Sequence, residues 1–181
     1  KVLASRMVRE YVERLYVPAA HAHRALDPDT AREFARWKAR VRSAWHEVKV
    51  DHVETSSPVA ERAGESLSTA TAELGTTLGL RVRVGLGGLG PDDVEVQVVS
   101  GRVDEEDRIT DATAVPLKPA GAPDPDGRWV YEGPLSLDRT GPYGYTVRIL
   151  PAHRLMASSA ELGLVATPAE GTGEGAGVLM R

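Results

Sequence analysis

Apolar residues near the start of the chain recur at helical spacing. Between Ser5 and Pro18 they are three or one positions apart, which places them on one side of a helix: Val8, Tyr11, Val12, Leu15 and Tyr16. Glu10 and Arg14, off that side, form an i,i+4 pair of favourable orientation. Ser5 is a candidate N-cap, and Pro18 is expected to end or kink the helix.

A second helical pattern follows a turn at Asp27-Pro28-Asp29. Thr30 and Glu33 have the spacing of a capping box. The apolar residues that follow are spaced for one face of a helix: Phe34, Trp37, Val41, Ala44, Trp45 and Val48. The pattern therefore predicts an amphipathic helix that leads directly into the next element.

These two apolar faces need a surface to cover them. Isolated helices shorter than about 12–15 residues are marginal in water. Burial of each large apolar side chain contributes roughly 1.5–3 kcal/mol. Because two helices cover each other only in part, we expect the first helix to pack against a body outside this chain. The start at Lys1 is in keeping with a processed or cut piece of a longer protein.

After residue 47 the apolar period changes from helical to alternating. Seven short segments alternate apolar and polar residues with turn signals between them: 48–52, 80–86, 94–98, 113–118, 128–135, 143–150 and 162–167. Pro116 marks the fourth as an edge strand. No helical pattern intervenes, so the sequence predicts an α+β chain in which a helical pair precedes an immunoglobulin-like sandwich of about seven strands.

These predictions divide the chain into three parts. Residues 1–47 form the helical segment, 48–168 the β-sandwich, and the glycine-rich 169–181 a flexible tail. Residues 55–77 are a polar insertion within the sandwich, with a short helix considered at 66–74. A tyrosine near the start of a late sandwich strand often bonds back to the backbone, and Tyr143 or Tyr145 is placed to do so.

Charge supports two structural units. The chain has 181 residues and a net charge of −4, made of +5 in residues 1–50 and −9 in residues 51–181. The basic residues are interspersed with acids and no aromatic series accompanies them, which argues against nucleic-acid binding. With no cysteine, the chain has no disulfides or thiolate metal ligands, which fits a cytoplasmic protein. No apolar run reaches the length of a membrane span.

Several short motifs have ordinary structural explanations. The glycines of 85–90 match G-x-G-x-x-G, but Pro91 and another strand follow where a dinucleotide site needs a helix. Asp124 and Asp126 lack the remaining ligands of a calcium loop, and the acidic run 104–107 reads as a solvated loop. The five histidines form no metal-binding pattern. We therefore expect no metal and no catalytic residue in this chain.

Three aromatic residues are candidates for contact with sugar rings. Trp129 and Tyr131 share one face of a predicted strand, and Tyr143 opens another. Aromatic rings on a sandwich either stack on sugars or fill the core, and core packing is the commoner use. Both interpretations remain open for all three.

Three segments in order resemble the bacterial α-glucan phosphorylases. R-M-V-R-E-Y-V-E-R-L-Y-V-P-A from Arg6 to Ala19 is similar to the last helix of their catalytic domain. W-K-A-R-V-R-S-A-W-H-E-V-K-V and G-P-Y-G-Y-T-V-R-I-L-P-A-H-R-L-M-A-S-S-A-E-L-G-L-V continue the likeness to the long actinobacterial-type chains, whose C-terminal region extends into a β-domain. The resemblance covers most of residues 5–167.

The resemblance implies a function for a longer protein. The family moves a glucosyl unit from an α-1,4-glucan to phosphate and releases glucose 1-phosphate, with pyridoxal phosphate held on a lysine as the cofactor. In such enzymes the cofactor lysine lies upstream of the region matched here. None of the four lysines of this chain has its context, so no catalytic or cofactor residue is carried over, and this segment alone is expected to be inactive.

Three hypotheses follow. In the first, the chain is the C-terminal part of a phosphorylase, and its partner is the upstream catalytic domain of the same enzyme. In the second, the sandwich is a glucan-binding module that uses Trp129, Tyr131 or Tyr143. In the third, it is a protein-interaction or oligomerisation domain.

Overall fold

The first element in the described residues is one long helix that widens in its middle. The computed structural model describes residues 4–56, 77–106, 108–137, 142–169 and 176–180. Helix α1 (Ala4–Tyr11) continues through a π-helical turn (Val12–Tyr16) into α2 (Val17–Arg24). We call residues 4–24 the N-terminal helix. Ser5 lies inside it, so the prediction of an N-cap at Ser5 is wrong.

Pro18 does not end this helix. A proline lacks the N–H of a helical hydrogen bond, and its ring clashes with the carbonyl four residues back. The turn before it is wider, and the Val17 N–H donates to the Val12 carbonyl, five residues back. This wider turn lets the chain stay helical through the proline to Arg24.

Helix α3 (Pro28–Ala44) begins at Asp27 rather than at the expected capping box. The Asp27 carboxylate accepts hydrogen bonds from the backbone N–H groups of Asp29 and Thr30, both at 2.9 Å, and from the Thr30 hydroxyl at 3.0 Å. Pro28 is well suited to the first helical position, where no N–H is needed. The helix buries Phe34, Trp37 and Val41, as its spacing predicts, and a 3₁₀ turn (Trp45–Glu47) follows.

Eight strands in the described residues form two antiparallel sheets. They are β1 (Val48–Ser56), β2 (Thr77–Leu86), β3 (Val94–Val103), β4 (Ile109–Pro116), β5 (Lys118–Pro119), β6 (Arg128–Ser136), β7 (Tyr143–Pro151) and β8 (Ala176–Met180). Sheet I has the order β1-β2-β6-β5, and sheet II has the order β4-β3-β7-β8. These are the strand orders of an immunoglobulin-type sandwich with one added edge strand. The predicted fold class is confirmed.

Two predicted strands differ from the structure. The segment 113–118 is two strands in different sheets, because the chain crosses at Leu117, whose N–H donates to the Val96 carbonyl at 2.8 Å. The strand predicted at 162–167 is wrong. Gly163 takes a left-handed φ of 65°, which breaks an extended backbone, and pairing there is reduced to one bridge between Ala166 and Ile149.

Two further predictions fall largely outside the described residues. Residues 57–76, which hold most of the polar insertion and the short helix considered at 66–74, lie there. Of the segment 169–181, the structure describes residue 169 and β8, whose backbone pairs with the first half of β7.

One core joins α3 to both sheets. The strand residues on the inner faces are fully or almost fully buried, among them Val82, Val84, Val96, Val98, Val147 and Ile149. The same cluster includes Phe34, Trp37 and Val41 from α3. Helix α3 therefore packs as part of the sandwich. None of the helices in the described part of the chain has a stretch long and apolar enough to cross a membrane.

Candidate functional site

The N-terminal helix presents large apolar side chains to solvent. No residue of its three helical segments is buried. Seven of its large apolar side chains are between 41% and 66% exposed, and we call them the apolar stripe: Met7, Val8, Tyr11, Val12, Leu15, Tyr16 and Val17. Because large exposed apolar surfaces are typical of interaction sites, the apolar stripe is a candidate interaction surface.

A groove lies where the N-terminal helix meets the rest of the molecule. Its walls are α2, α3 and the loop 155–161, and its volume is about 370 Å³. Alanines line both helical walls, with Ala19 and Ala22 on α2 and Ala31 and Ala35 on α3. Small side chains on facing helices leave room for a larger side chain from another body.

One edge of the groove is closed by an ion pair. Lys38 Nζ lies 2.6 Å from Glu161 Oε1 and 4.2 Å from the centroid of the Phe34 ring. The other Glu161 oxygen accepts the Ala157 N–H at 3.1 Å. The pKa of Glu161 is lowered: burial opposes the lowering, but the hydrogen bonds from Lys38 and Ala157 outweigh it. These contacts fix the loop against α3.

A buried aspartate attaches α3 to the sandwich. Asp93 accepts hydrogen bonds from Trp37 Nε1 at 2.7 Å, from Arg40 at 2.8 Å and from the Gly90 N–H at 2.9 Å. Its own carbonyl accepts the Ala152 N–H at 2.9 Å. The helix that forms one wall of the groove is thus held by polar contacts as well as by the core.

His153 packs in the same joint. Its ring centroid lies 5.0 Å from that of Phe34 and 4.6 Å from that of Trp37. Burial disfavours the charged ring and lowers the pKa of His153; the Arg154 charge acts in the same direction, and Asp93 opposes both. The ring therefore packs as a neutral aromatic group.

Of the predicted sugar-contact residues, the structure buries two and half-buries the third. Tyr131 is 2% exposed, and burial followed by the Asp92 charge raises its pKa to about 12. Tyr143 is 4% exposed, and Trp129 is half-buried against the core. The structure does not bring these rings together on an open face. Sugar contact by them stays a prediction.

Tyr143 instead makes the tyrosine corner expected for this fold. Its hydroxyl oxygen lies 3.2 Å from the Ser136 carbonyl oxygen and 3.0 Å from Ser100 Oγ. A carbonyl can only accept, so the phenolic proton goes to Ser136, and the Ser100 hydroxyl can donate to the phenol oxygen. The bond joins the start of β7 to the end of β6.

The glycine-rich and acidic motifs are structural. Gly87 and Gly88 have φ values of 59° and 82° and form the turn after β2; a three-residue 3₁₀ turn and then β3 follow, not a long helix. The Asp124 carboxylate accepts the N–H groups of Asp126 and Arg128, which makes a turn cap. Within the described residues, no three His, Asp or Glu side chains are grouped to hold a metal ion.

Sequence reasoning missed the groove and the Asp93 joint. The groove had a readable signal, since alanines at 19 and 22 and at 31 and 35 recur at helical spacing on both sides of the predicted turn. Asp93 had none, because its partners on α3 are more than 50 positions away in the chain.

Together the fold and its exposed surfaces define a β-sandwich domain that is preceded by a helix with exposed apolar side chains. A family model described as the glycogen phosphorylase C-terminal domain matches residues 45–169. The chain belongs to that family. It is also 41% identical over 168 residues to glycogen phosphorylases of Mycobacterium bovis and Mycobacterium tuberculosis, and 30% identical over 168 residues to a maltodextrin phosphorylase of Thermococcus litoralis.

The length of these relatives differs greatly from that of this chain. The matches cover 91% of this chain for the mycobacterial proteins and 88% for the Thermococcus protein, but 18% of each relative. The chain thus corresponds to a small part of the phosphorylases that it resembles.

Proposed function

We propose that this chain is the C-terminal part of an α-1,4-glucan phosphorylase, with a structural and assembly role and no catalytic residue of its own. We call the longer protein the parent enzyme. Its reaction is the transfer of a glucosyl unit from glucan to phosphate, giving glucose 1-phosphate. Family membership and the mycobacterial relatives support the assignment.

The apolar stripe is the observation on which the structural role rests. Its seven side chains are about half exposed and find no further cover among the described residues, and full burial of a large apolar side chain contributes roughly 1.5–3 kcal/mol, of which covering the exposed half adds a share. In the parent enzyme the catalytic region precedes this helix directly and is therefore present at high local concentration. The N-terminal helix then packs against the catalytic region and holds the sandwich next to that region.

The described residues do not fit the cofactor of this family. Pyridoxal phosphate needs a lysine free to form a Schiff base. Lys38 is paired with Glu161, Lys49 lies 3.3 Å from Asp51, and Lys118 is exposed on the edge strand β5. We therefore expect pyridoxal phosphate to be bound by the catalytic region of the parent enzyme.

An activity assay tests the absence of catalysis. The chain is incubated with glycogen, phosphate and pyridoxal phosphate, and glucose 1-phosphate is measured. We expect none above a protein-free blank. Turnover above that blank, lost on heat denaturation, would contradict the proposal.

A substitution in the parent enzyme tests the docking role. Leu15→Glu places a charge within the apolar stripe and should destabilise the parent enzyme by about 2–4 kcal/mol, since a charge buried without a partner is costly. Glu13→Lys, a charge reversal on the charged side of the same turn, is the matched control and should have little effect. Equal effects of the two substitutions would count against docking through the stripe.

A further inference from the structure

We propose that the groove between α2, α3 and the loop 155–161 receives a large apolar side chain from the catalytic region of the parent enzyme. The docking surface would then run from the apolar stripe into the groove as one continuous strip. This inference rests on the proposed function and goes beyond it, because it assigns a specific socket at the far end of the helix.

The size and lining of the groove fit such an occupant. Its volume of about 370 Å³ leaves room for a large side chain. The lining is mostly apolar, with alanines on both helices and the buried Phe34 and Leu155 among them, and its polar residues are His23, Lys38 and Glu161. Because Lys38 and Glu161 already pair with each other, the small apolar residues and the Phe34 ring favour an aliphatic or aromatic side chain.

The groove continues the apolar stripe along the same side of the helix. From Tyr11 and Leu15 the spacing leads to Ala19, Ala22 and Leu26 in steps of three or four residues. Leu26, a further lining residue, is 38% exposed. A protein surface that covers the apolar stripe therefore also lies next to the groove.

Two of the three walls of the socket, α3 and the loop 155–161, are preformed. The Lys38–Glu161 ion pair, at 2.6 Å, fixes the loop to α3, and Asp93 fixes α3 to the sandwich. Binding against these two walls avoids the entropy cost of ordering them. The N-terminal helix carries the remaining wall, so docking of the stripe and filling of the groove reinforce each other.

The length of the relatives favours one occupant. This chain matches 18% of each phosphorylase, so most of the relative's length lies outside the match, and the matching family is a C-terminal domain. The body that adjoins the N-terminal helix in such a protein is the preceding part of the same polypeptide. A second copy of this chain is the competing occupant, and the experiment distinguishes it.

Thiol labelling provides the test, because the chain contains no cysteine. Ala22→Cys places a thiol in the groove, Leu15→Cys places one in the stripe, and Ala120→Cys on exposed backbone beside β5 serves as the control. Each variant is made in the 181-residue chain and in the parent enzyme. Maleimide labelling of the named site is followed over time by peptide mass spectrometry at several protein concentrations.

We expect the Ala22→Cys thiol to react at least about tenfold more slowly in the parent enzyme than in the isolated chain, since labelling then requires local opening. The Leu15→Cys thiol should slow likewise, and the Ala120→Cys thiol should not change. Slow labelling at Leu15→Cys alone would overturn the groove inference and leave the proposed function standing. Unchanged labelling of both the Ala22→Cys and the Leu15→Cys thiols would overturn the groove inference and the proposed function together.

Two further outcomes would also overturn the groove inference. Protection of the Ala22→Cys thiol that appears in the isolated chain only at high concentration would identify a second copy as the occupant. If the Ala22→Cys thiol were protected in the isolated chain, at every concentration, as strongly as in the parent enzyme, the occupant would be a segment of this chain itself.

Discussion

The indole Nε1 of Trp37 donates to the Asp93 carboxylate across 2.7 Å, although the two residues are 56 positions apart in the chain. This bond joins the middle of α3 to the 3₁₀ turn before β3. It is buried, and Asp93 is further held by Arg40 and by the Gly90 N–H. The helix that precedes the sandwich is therefore part of it, and the position of the groove follows from this joint.

Replacement of Trp37 tests the strength of the joint, and Trp45 is its matched control. Trp37→Phe removes the donor to Asp93 as well as ring volume. Trp45→Phe removes similar volume, but Trp45 Nε1 is buried and has no hydrogen-bond partner among the described residues. We expect urea denaturation to show Trp37→Phe as the more destabilising by about 1–2 kcal/mol. Equal losses would mean that the bond to Asp93 contributes nothing net.

Substitutions at two neighbouring glycines test how closely the turn after β2 approaches α3. Both have left-handed φ values, so alanine at either costs about 1–2 kcal/mol in backbone strain. A methyl group at Gly87 would also lie 2.6 Å from Glu47 Cβ and 2.9 Å from the Ala44 carbonyl oxygen, whereas at Gly88 it meets nothing within 4 Å. Gly87→Ala should therefore lower the melting temperature more than Gly88→Ala. A larger drop for Gly88→Ala would contradict this packing.

Removal of one hydroxyl tests the tyrosine corner. Tyr143→Phe keeps the buried ring and deletes the hydrogen bond to the Ser136 carbonyl. We expect a loss of about 1–1.5 kcal/mol in the free energy of unfolding, with the fold unchanged by circular dichroism. Tyr11→Phe, at an exposed residue, should leave stability within about 0.5 kcal/mol of wild type.

The packing of neutral His153 predicts a pH dependence of stability. Its pKa is lowered in the folded state from the usual 6.5, so the unfolded chain binds the proton more readily. The contribution is fully present above about pH 6.5 and is lost as the pH falls through the unfolded pKa towards the folded one. His153→Phe keeps a ring against Phe34 and Trp37 and should flatten the dependence in that window. Parallel curves for wild type and variant would refute this role.

The sequence patterns predicted the elements that bury a whole face. Strict alternation around Val82, Val84 and Val96 marks strands with one side in the core, and the spacing of Phe34 and Trp37 marks the buried side of α3. These patterns can be recognised within a single element, because the apolar residues of each strand or helix lie on one face.

The features that the patterns missed depend on distant parts of the chain. The sequence alone does not distinguish Asp92 from Asp93. The packing of α3 against the sandwich makes Asp93 the buried partner of Trp37. The helical spacing of the alanines marks the two walls of the groove, but the way in which α2 meets α3 is set by the fold and is not contained in that spacing. Gly163 alone was enough to break a segment whose alternation resembled a strand.

Hydrogen exchange of the N-terminal helix tests the central claim most directly. The exchange of backbone amides in residues 4–24 is compared between the isolated chain and the parent enzyme, with β2 and β7 as internal references. Because a helix without buried contacts is marginal, its amides should exchange rapidly in the isolated chain and at least about a hundredfold more slowly in the parent enzyme. Equal exchange of these amides in the two proteins would contradict the claim that the apolar stripe docks on the catalytic region.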